Sequence, residues 1–508
     1  MTTPDLSSSA HKSIRHGSAL LPLPDKAHLS ATYVGLPLHA LPTPACLIDL
    51  AVVRRNCARM ARIAAAWQVK LRVHVKTHKT AEGVREMLGK DGSGRVLIST
   101  LAEGWGLVRD GLVRDGFVKD ILYGLPISEH KLDEIAALRA AVQAETASVE
   151  GSTVRLFVDN VAQIDALCRH ESSSEQPWSV MVKVDHGARR AGLPPSSPAL
   201  RALFEKISST SRHVSLHGIY AYGGHSYSSR SASEADAHLA AELRAVLQAH
   251  QVARDALSPS SPSNNKLSKL VLSVGTTPTA HGASRALQSE EIKQLRAQID
   301  ELGEGTELEL HAGNYPMLDL QQLATKAQPS LEGEGNEGKK PARMDDVAIS
   351  VLCSVVGSYP GRGAGDNSAA VTSPPTSSST AQRGDEALID GGGLAFSKDT
   401  GPWGGYGHVI WPRSLRGWEL SRPSQEHGIM TLRGEEERKS QWAFEGQEDQ
   451  QPGAVKVGEK VRIVPQHACM TFAAHPWFYV VDSSQGGSAD DDDFGRRVVD
   501  VWVPWKGW

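Results

Sequence analysis

The sequence predicts an α/β protein in which a (β/α)8 TIM-type barrel is followed by an antiparallel β domain. Three observations predict this fold. Eight short runs rich in Val, Leu and Ile alternate with helix-like segments in the first part of the chain. Hydrogen-bonding and reactive residues collect where these runs end, which is where such barrels place their sites. Beyond about Val347, β-rich runs follow one another with few helices between them.

We predict the eight runs to be parallel strands because they are apolar nearly throughout, as strands buried on both faces require. Helical segments such as ADAHLAAELRAVLQAHQVARDAL separate them and supply the crossovers that parallel strands need. The predicted strands are LRVHV ending at Val75, RVLIST ending at Thr100, DILYG from Asp120, VRLFVDN ending at Asn160, SVMVKVD ending at Asp185, VSLHGIYAY ending at Tyr222, KLVLSVG ending at Gly275 and TELELHAG ending at Gly313.

The remaining β-rich segments predict the second domain. They are VAISVLCSVVGSY, EALIDGGGLAF, HGIMTLR, KVRIVPQHACMTF, FYVVD and RVVDVWVPW. The chain has 508 residues, more than one hydrophobic core usually supports. We therefore predict a disordered segment over residues 1–34, the barrel over 35–325 and a C-terminal β domain over 326–508. Four polar stretches rich in Ser, Gly or Asp are predicted surface insertions.

Composition indicates a soluble enzyme. Apolar residues make up 40% of the chain and charged residues 22%, and the net charge of -4 gives no broad attraction for nucleic acid or an anionic membrane. No apolar run approaches the roughly 20 residues that cross a bilayer, and the first residues lack the apolar core of a secretion signal. The five scattered cysteines include no C-x-x-C pair. We expect a cytoplasmic protein with reduced thiols.

Lys76 stands in RVHVKTHKT, directly after the first predicted barrel strand. A lysine there points into the mouth of the barrel, where partial desolvation lowers the pKa of an amine from about 10.4 and favours a Schiff base. The competing interpretation is a plain basic loop. Its neighbour Lys79 is expected to begin the next helix and face solvent.

The seventh predicted strand runs into SVGTTPT. Gly275, Thr276 and Thr277 offer close backbone N–H groups and two hydroxyls, which suit a phosphate monoester. Such a sequence is more often only a turn. Together with a Schiff-base lysine in the same barrel, however, it fits pyridoxal phosphate, with the amine at one end and a phosphate cradle at the other.

His467 and Cys469 lie two residues apart in KVRIVPQHACMTF. If this segment is a strand, both side chains project from one face. An imidazole and a thiolate suit zinc, and two protein ligands leave coordination positions open, as a catalytic site requires. The competing interpretation is a buried cysteine beside a surface histidine.

At these residues the sequence resembles the eukaryotic-type D-serine dehydratase family, within the fold-type III pyridoxal-phosphate enzymes related to alanine racemase. The resemblance runs from about Leu41 to the end, outside the polar insertions. The segments that carry it are LPTPACLID, RVHVKTHKT, LISTLAEG, DILYGLPI, VKVDHGARRAG, the YGGHSY run, SVGTTPT, ELHAGNYPMLDLQQ, ALIDGGGLAFSKD, SQEHG and PQHACMT. The chain departs from the family at YAYGGHSY, where a His-Ala-Gly core is expected.

The resemblance implies that Lys76 carries the cofactor and that the Gly275, Thr276 and Thr277 loop holds its phosphate. It also implies that His467 and Cys469 bind zinc close to the β-hydroxyl of the substrate. The further neighbours of the cofactor that it implies are Arg190, Tyr220, Tyr227 and Tyr315.

The reaction implied by the resemblance is elimination of water from D-serine to give pyruvate and ammonia, in a homodimer. For a D-threonine aldolase of the same fold, the resemblance implies a His-x-Asp metal pair, whereas this chain has His-x-Cys. A D-threo-3-hydroxyaspartate dehydratase would share the elimination chemistry. An alanine-racemase-type reaction would need no metal. A non-catalytic pyridoxal-phosphate-binding protein would be similar to the barrel half of this chain alone, without the β domain.

Overall fold

The computed structural model describes residues 22–90, 92–146, 153–170, 176–257, 269–286, 288–328, 341–363, 380–434, 451–485 and 496–508. The described residues form two compact units. The first contains residues 60–313 and 504–508, and the second contains residues 24–59 and 314–503. The predicted polar insertions lie largely outside the described residues.

The two units are built from the following elements. The strands are β1 (Ala45–Asp49), β2 (Lys70–His74), β3 (Arg95–Ile98), β4 (Asp120–Pro126), β5 (Thr153–Val158), β6 (Trp178–Val184), β7 (Val214–Ala221), β8 (Leu270–Val274), β9 (Thr306–Ala312), β10 (Ile349–Tyr359), β11 (Glu386–Ile389), β12 (Gly407–Trp411), β13 (Trp418–Pro423), β14 (Gly428–Leu432), β15 (Lys460–Pro465), β16 (Phe478–Val481) and β17 (Asp500–Trp502). The helices are α1 (Lys26–Tyr33), α2 (Leu50–Ala66), α3 (Ala81–Leu88), α4 (Leu101–Arg109), α5 (Leu132–Glu145), α6 (Val161–Arg169), α7 (Pro198–Ser209), α8 (Ala232–Ala256), α9 (Thr277–Ala286), α10 (Glu290–Asp300), α11 (Leu320–Ala324), α12 (Gly393–Phe396) and α13 (Ala468–Ala474).

The first unit is a closed parallel barrel whose strands follow chain order from β2 to β9. It closes where β9 pairs with β2, with Leu310 opposite Leu71. All eight predicted strands are present, so the predicted barrel is confirmed. Alternate residues of these strands fill its interior with an apolar layer. That layer consists of Leu97, Leu122, Phe157, Met181, Tyr220 and Val271.

A buried ion network occupies the barrel interior near the starts of the strands. Arg72 is fully buried and donates to Asp120 and to Glu309, each at 2.8 Å. Arg95 also pairs with Glu309 at 2.8 Å. Burial alone would raise the pKa of Glu309, but the charges of Arg72 and Arg95 outweigh it and lower that pKa to about 2. Because the network fills the end of the barrel where the strands start, the carboxyl ends of the strands form the rim available for catalysis.

The second unit is a largely antiparallel domain, although β1 and β16 pair in parallel, and it confirms the predicted β region. Its nine-stranded sheet has the order β11-β14-β13-β12-β15-β10-β1-β16-β17, and β11 also pairs with β10. Six strands from β10 round to β15 therefore close on themselves. Their interior contains buried apolar residues such as Val351, Phe396, Trp418 and Ile463.

The division of the chain differs from the predicted boundaries at three places. The segment Ala45–Asp49, assigned to the barrel from sequence, is β1 and pairs with β10 and β16 of the second unit. At the other end, Trp505 is fully buried in the barrel unit and donates to Asp110 at 2.7 Å. Within the segment predicted to be disordered, Lys26–Tyr33 form helix α1, whose first turn is capped by Asp25.

The β domain also contains elements that the sequence did not reveal. Strands β12 and β13 lie in a stretch without a strand prediction, and they pair with each other. The predicted strand through His467 ends earlier, at Pro465, and helix α13 follows. In the part of the chain that the structure describes, no helix is long and apolar enough to cross a membrane.

Candidate active site

Lys76 lies in the turn that follows β2, at the carboxyl rim of the barrel, and its side chain is half-buried. The second lysine of this loop behaves differently from the sequence prediction. Lys79 precedes the helix, which begins at Ala81, and pairs with the buried carboxylate of Glu103 at 3.2 Å. The prediction that Lys79 begins the helix and faces solvent is therefore wrong. Because an ion pair holds Lys79, Lys76 is the lysine of this loop suited to carry a cofactor.

The side chain of His74 flanks this lysine at the end of β2. Its Nε2 atom lies 2.8 Å from the hydroxyl of Ser99 at the end of β3. Burial, and then the charge of Lys76, lower the pKa of His74 well below its usual range. The imidazole is therefore uncharged at neutral pH.

An aromatic pair forms the inner wall of this rim. The rings of Tyr220 and His311 are stacked, with centroids 4.0 Å apart and planes 15° apart. His311 Nδ1 lies 3.0 Å from the hydroxyl of Ser273. Burial lowers the pKa of His311 to about 3, with the charges of Lys183 and Arg72 adding to the effect against that of Glu309. The wall is thus flat and uncharged, which suits one face of an aromatic ring.

Lys183 is a second lysine of the barrel interior that the sequence interpretation missed. It is 6% exposed, and its amine lies 4.7 Å from the ring centroid of Phe157 and 5.5 Å from that of Tyr220. Burial, and then the charge of Arg190, lower its pKa to about 8. The sequence held a signal, since Lys183 is two residues after the interior Met181 and so projects to the same face.

The predicted phosphate loop follows β8 and leads into α9. Gly275 has φ +138°, and a Cβ there would collide with the His311 carbonyl oxygen, so only glycine fits. Thr276 and Thr279 bond reciprocally, since the amide of each donates to the hydroxyl of the other at 2.8 and 3.2 Å. Thr277 is buried at the first position of α9. A helix N-terminus with a glycine and buried hydroxyls is suited to an anion.

Two predicted cofactor neighbours, Arg190 and Tyr227, lie in the β6–α7 and β7–α8 loops. The guanidinium of Arg190 lies 4.7 Å from the ring centroid of Tyr222. Tyr227 is partly buried in the short turn Gly224–Ser228. In that turn the hydroxyl of Ser226 lies 2.7 Å from the hydroxyl of Thr276. The structure therefore brings this turn and the predicted phosphate loop together.

Tyr315 belongs to the second unit. It is fully buried, and its hydroxyl has no hydrogen-bond partner among the described residues. Burial raises the pKa of this phenol well above its ordinary range. A buried hydroxyl without a partner is costly, so its placement favours a polar ligand group.

His467 and Cys469 lie at the start of α13 and not on one strand face, so the geometry predicted for them is corrected. His467 is the N-cap residue and Cys469 lies in the first turn. His467 Nδ1 lies 2.6 Å from Oδ2 of Asp399. Burial opposes protonation of His467, but hydrogen bonds with Cys469 and Asp399 and the charge of Asp319 outweigh it and raise the pKa to about 9.

The donor set fits zinc as an open site. The carboxylate at Nδ1 leaves Nε2 of His467 as the nitrogen for a metal, and the thiol of Cys469 is the second donor. Among the described residues, no group of three or more His, Cys, Asp or Glu side chains is arranged around one ion position. Zinc in proteins usually takes four ligands, and in catalytic sites water or substrate occupies at least one of them.

Two family models match the chain. The model described as alanine racemase, N-terminal domain matches residues 48–265. The model described as putative serine dehydratase domain matches residues 348–481.

Curated relatives match nearly the whole chain. The D-serine dehydratase of Schizosaccharomyces pombe is 34% identical over 487 residues, which cover 95% of this chain and 96% of that protein. The D-serine dehydratase of Saccharomyces cerevisiae is 30% identical, over 94% of this chain and 98% of that protein. The D-threo-3-hydroxyaspartate dehydratase of Delftia sp. is 27% identical, over 93% and 99% respectively.

Solved structures share the two-unit fold. That of D-threo-3-hydroxyaspartate dehydratase from Delftia sp. HT23 has a TM-score of 0.65 and 26% identity, and covers 93% of this chain and 100% of that chain. Two more structures of such a dehydratase carry alanine for a histidine and for a cysteine two positions apart, the second in a metal-free form. D-threonine aldolase from Filomicrobium marinum, at 20% identity and a TM-score of 0.61 over 92% of this chain and 97% of that chain, shares the fold.

Proposed function

Because the chain belongs to the D-serine dehydratase family, we propose that it eliminates water from D-serine, with pyridoxal phosphate on Lys76 and zinc on His467 and Cys469. The products are pyruvate and ammonia. The family itself was predicted from the sequence and is confirmed, and it makes the protein a lyase.

One observation carries the proposal, namely the position of Lys76 relative to the phosphate loop. Lys76 follows β2 and the Gly275 loop follows β8, and only β9 separates these strands in the barrel. Adjacent strands lie about 4.8 Å apart, so the two strand ends are about 10 Å apart on one rim. A lysine side chain joined to a pyridine ring with a phosphate arm can span that distance. The stacked Tyr220 and His311 lie on β7 and β9 beside it.

The residues of the barrel have distinct tasks in this reaction. When bound, pyridoxal phosphate supplies an electron sink for the carbanion that loss of the α-proton leaves on the substrate. We assign removal of the proton at Cα to the amine of Lys76. The uncharged His74 and His311 do not compete for that proton at neutral pH, because burial keeps their pKa values low. The wall of Tyr220 orients the flat ring system and excludes water from it.

The β-hydroxyl of serine is a poor leaving group, so its departure requires assistance at the residues proposed to bind zinc. When bound, zinc supplies a Lewis acid that assists departure of the hydroxyl. His467 and Cys469 would hold it, and Asp399 would orient His467 through Nδ1. A thiolate ligand favours zinc over harder cations such as magnesium. The metal-free form named for a cysteine-to-alanine mutant of a related dehydratase supports a metal at such a pair.

We further propose that the protein is a cytoplasmic homodimer. The proposal rests on the resemblance to the family, which implies a homodimer. Light scattering on the active enzyme tests it, with a dimeric mass expected and a fully active monomer contradicting it.

The test is product release from D-serine, L-serine, D-threonine and D-threo-3-hydroxyaspartate, before and after chelation and after zinc is added back. We expect pyruvate and ammonia from D-serine alone, lost on chelation and restored by zinc. Glycine and acetaldehyde from D-threonine would replace the proposal with an aldolase.

Oxaloacetate from D-threo-3-hydroxyaspartate without pyruvate from D-serine would assign the second candidate, which the near-full-length match to the Delftia enzyme favours. Bound cofactor without turnover of any substrate would indicate a binding protein.

A further inference from the structure

Glu242 is a carboxyl group fully enclosed in the barrel unit, which the mechanism above does not use. It lies on α8 and has no solvent-exposed surface. Its Oε1 atom accepts a hydrogen bond from the amide of Gly223 at 3.0 Å. A Cβ on Gly223 would collide with the same oxygen, so a larger residue there would displace the carboxyl.

Glu242 also contacts the other loop of the cradle. The hydroxyl of Thr279 and the backbone of Gly275 lie close enough to its carboxyl to lower the pKa of Glu242, and its Oε2 atom has no hydrogen-bond partner among the described residues. One side chain on α8 thus joins the segment that follows β7 to the segment that follows β8.

A chain of buried hydroxyls also connects the two segments. Thr279 bonds to Thr276 through their hydroxyls at 3.0 Å, and Thr276 bonds to Ser226 at 2.7 Å. Thr276, Thr279 and Ser226 are each at most 2% exposed. Displacing Glu242 would therefore disturb both loops, because its carboxyl holds Gly223 and lies against the loop whose hydroxyls bond to Ser226.

We propose that Glu242 is a positioning residue that ties the segments Gly223–Ser228 and Gly275–Thr279 into one cradle for the phosphate of the cofactor. This inference rests on the proposed function, since it assumes that the ligand of the cradle is the phosphate of pyridoxal phosphate. Glu242 does not touch that phosphate and acts through the two loops.

The protonation state of Glu242 gives the cradle a pH dependence. Burial raises its pKa to about 8, against the nearby donors of Thr279, Gly223 and Gly275, which lower it. Below that pH the carboxyl is uncharged and binds the loops without opposing an anion. Above that pH, Glu242 is a buried carboxylate near a phosphate that carries about two negative charges, and the like charges repel each other. The affinity for the cofactor should therefore fall as pH rises through about 8.

Other titratable groups face the same region. His186 lies against Gly223, Tyr220 is affected by the charge of Glu242, and the backbone of His311 lies against Gly275. Burial lowers the pKa of His186 to about 4 and that of His311 to about 3, and raises that of Tyr220 well above its ordinary value. These three keep their charge state around pH 8. Lys183, with a pKa lowered to about 8 by burial, titrates in the same range, so a variant that cannot ionise at position 242 is the necessary reference.

The experiment is a titration of the apoprotein with pyridoxal phosphate and, separately, with pyridoxal, which lacks the phosphate. The visible absorption that each aldehyde acquires on joining a lysine amine reports binding. The variants are Glu242→Ala and Glu242→Gln, and Glu205→Ala on α7, an exposed carboxylate, is the matched control. Circular dichroism verifies folding.

For Glu242→Ala we expect affinity for pyridoxal phosphate to fall about 10- to 100-fold, because the amide of Gly223 loses its partner and the Gly275–Thr279 segment loses the carboxyl that it lies against. Affinity for pyridoxal should be unchanged, as it should be for both aldehydes in Glu205→Ala. Glu242→Gln should bind like the wild type at about pH 7, since a carboxamide replaces an uncharged acid. Between about pH 7 and about pH 9 the wild type should lose about tenfold more affinity than Glu242→Gln.

Equal losses for both aldehydes in Glu242→Ala, or no loss, would overturn the inference, as would parallel pH profiles for the wild type and Glu242→Gln. Should Glu242→Ala fail to fold, the pH comparison decides alone. Failure of the proposed function looks different, because the wild type itself would then acquire no visible absorption with pyridoxal phosphate.

Discussion

The imidazole of His467 and the carboxylate of Asp399 lie within hydrogen-bond distance, with Nδ1 2.6 Å from Oδ2. The two residues are 68 positions apart in the chain. An imidazole held at one nitrogen presents the other in a fixed direction, which is how carboxylates commonly support metal-binding histidines.

Replacing Asp399 with Asn should therefore weaken zinc binding about 10- to 100-fold. The carboxylate fixes the orientation and basicity of His467, and an amide does so less well. Competition with a chromogenic chelator measures the zinc affinity, with Glu205→Gln as the control. Unchanged affinity would remove Asp399 from the metal site.

Cys469→Ala should abolish dehydration and spare the cofactor. We expect pyruvate release to fall about 100-fold or more, because the hydroxyl then departs without metal assistance. Visible absorption with pyridoxal phosphate should persist. The control is Cys168→Ala, another cysteine that is not fully buried. Undiminished activity in Cys469→Ala would show that this thiol is not required.

Gly275→Ala should weaken binding of pyridoxal phosphate about tenfold or more. The φ of +138° is strained for alanine, and its Cβ would displace the loop from the His311 carbonyl. Gly303→Ala is the matched control, because Gly303 also has a positive φ but nothing within 4 Å of the added Cβ. Equal affinities in the two variants would argue that the loop does not bind the phosphate.

Glu309→Gln should destabilise the barrel by about 3–5 kcal/mol, because it removes a carboxylate from the buried Arg72. The pKa of Glu309 is lowered from 4.5 to about 2 by Arg72 and Arg95 despite its burial. A lowered pKa stabilises the fold above 4.5, and that contribution is lost as pH falls towards 2. The thermal midpoint of the wild type should drop over this range, and that of Glu309→Gln should drop less. Parallel curves would contradict the assigned ion network.

The eight barrel strands could be predicted because each is a short apolar run bounded by polar residues, which is a local signal. β1 is also a short apolar run, but its place depends on pairing with β10 and β16, some 300 and 430 residues away. Local pattern carries no such information. The turn at Pro465 that places His467 on a helix cap was missed for the same reason.

The candidate site was only partly predictable. Lys76, Gly275 and His467 stand in motifs with recognisable chemistry. Asp399 and Glu242 are ordinary surface-type residues in the sequence, and only tertiary contacts give them a role. Lys183 could have been placed inside the barrel from strand alternation, but no motif marked it and the prediction missed it.

The identity of the lysine that carries the cofactor tests the account most directly, because the barrel holds two lysines near the stacked wall. Borohydride reduction of the enzyme with pyridoxal phosphate, followed by peptide mass mapping, fixes the cofactor to its lysine. We predict the label on Lys76, and no label and no pyruvate from D-serine in Lys76→Ala. A label on Lys183, or full activity in Lys76→Ala, would contradict the mechanism.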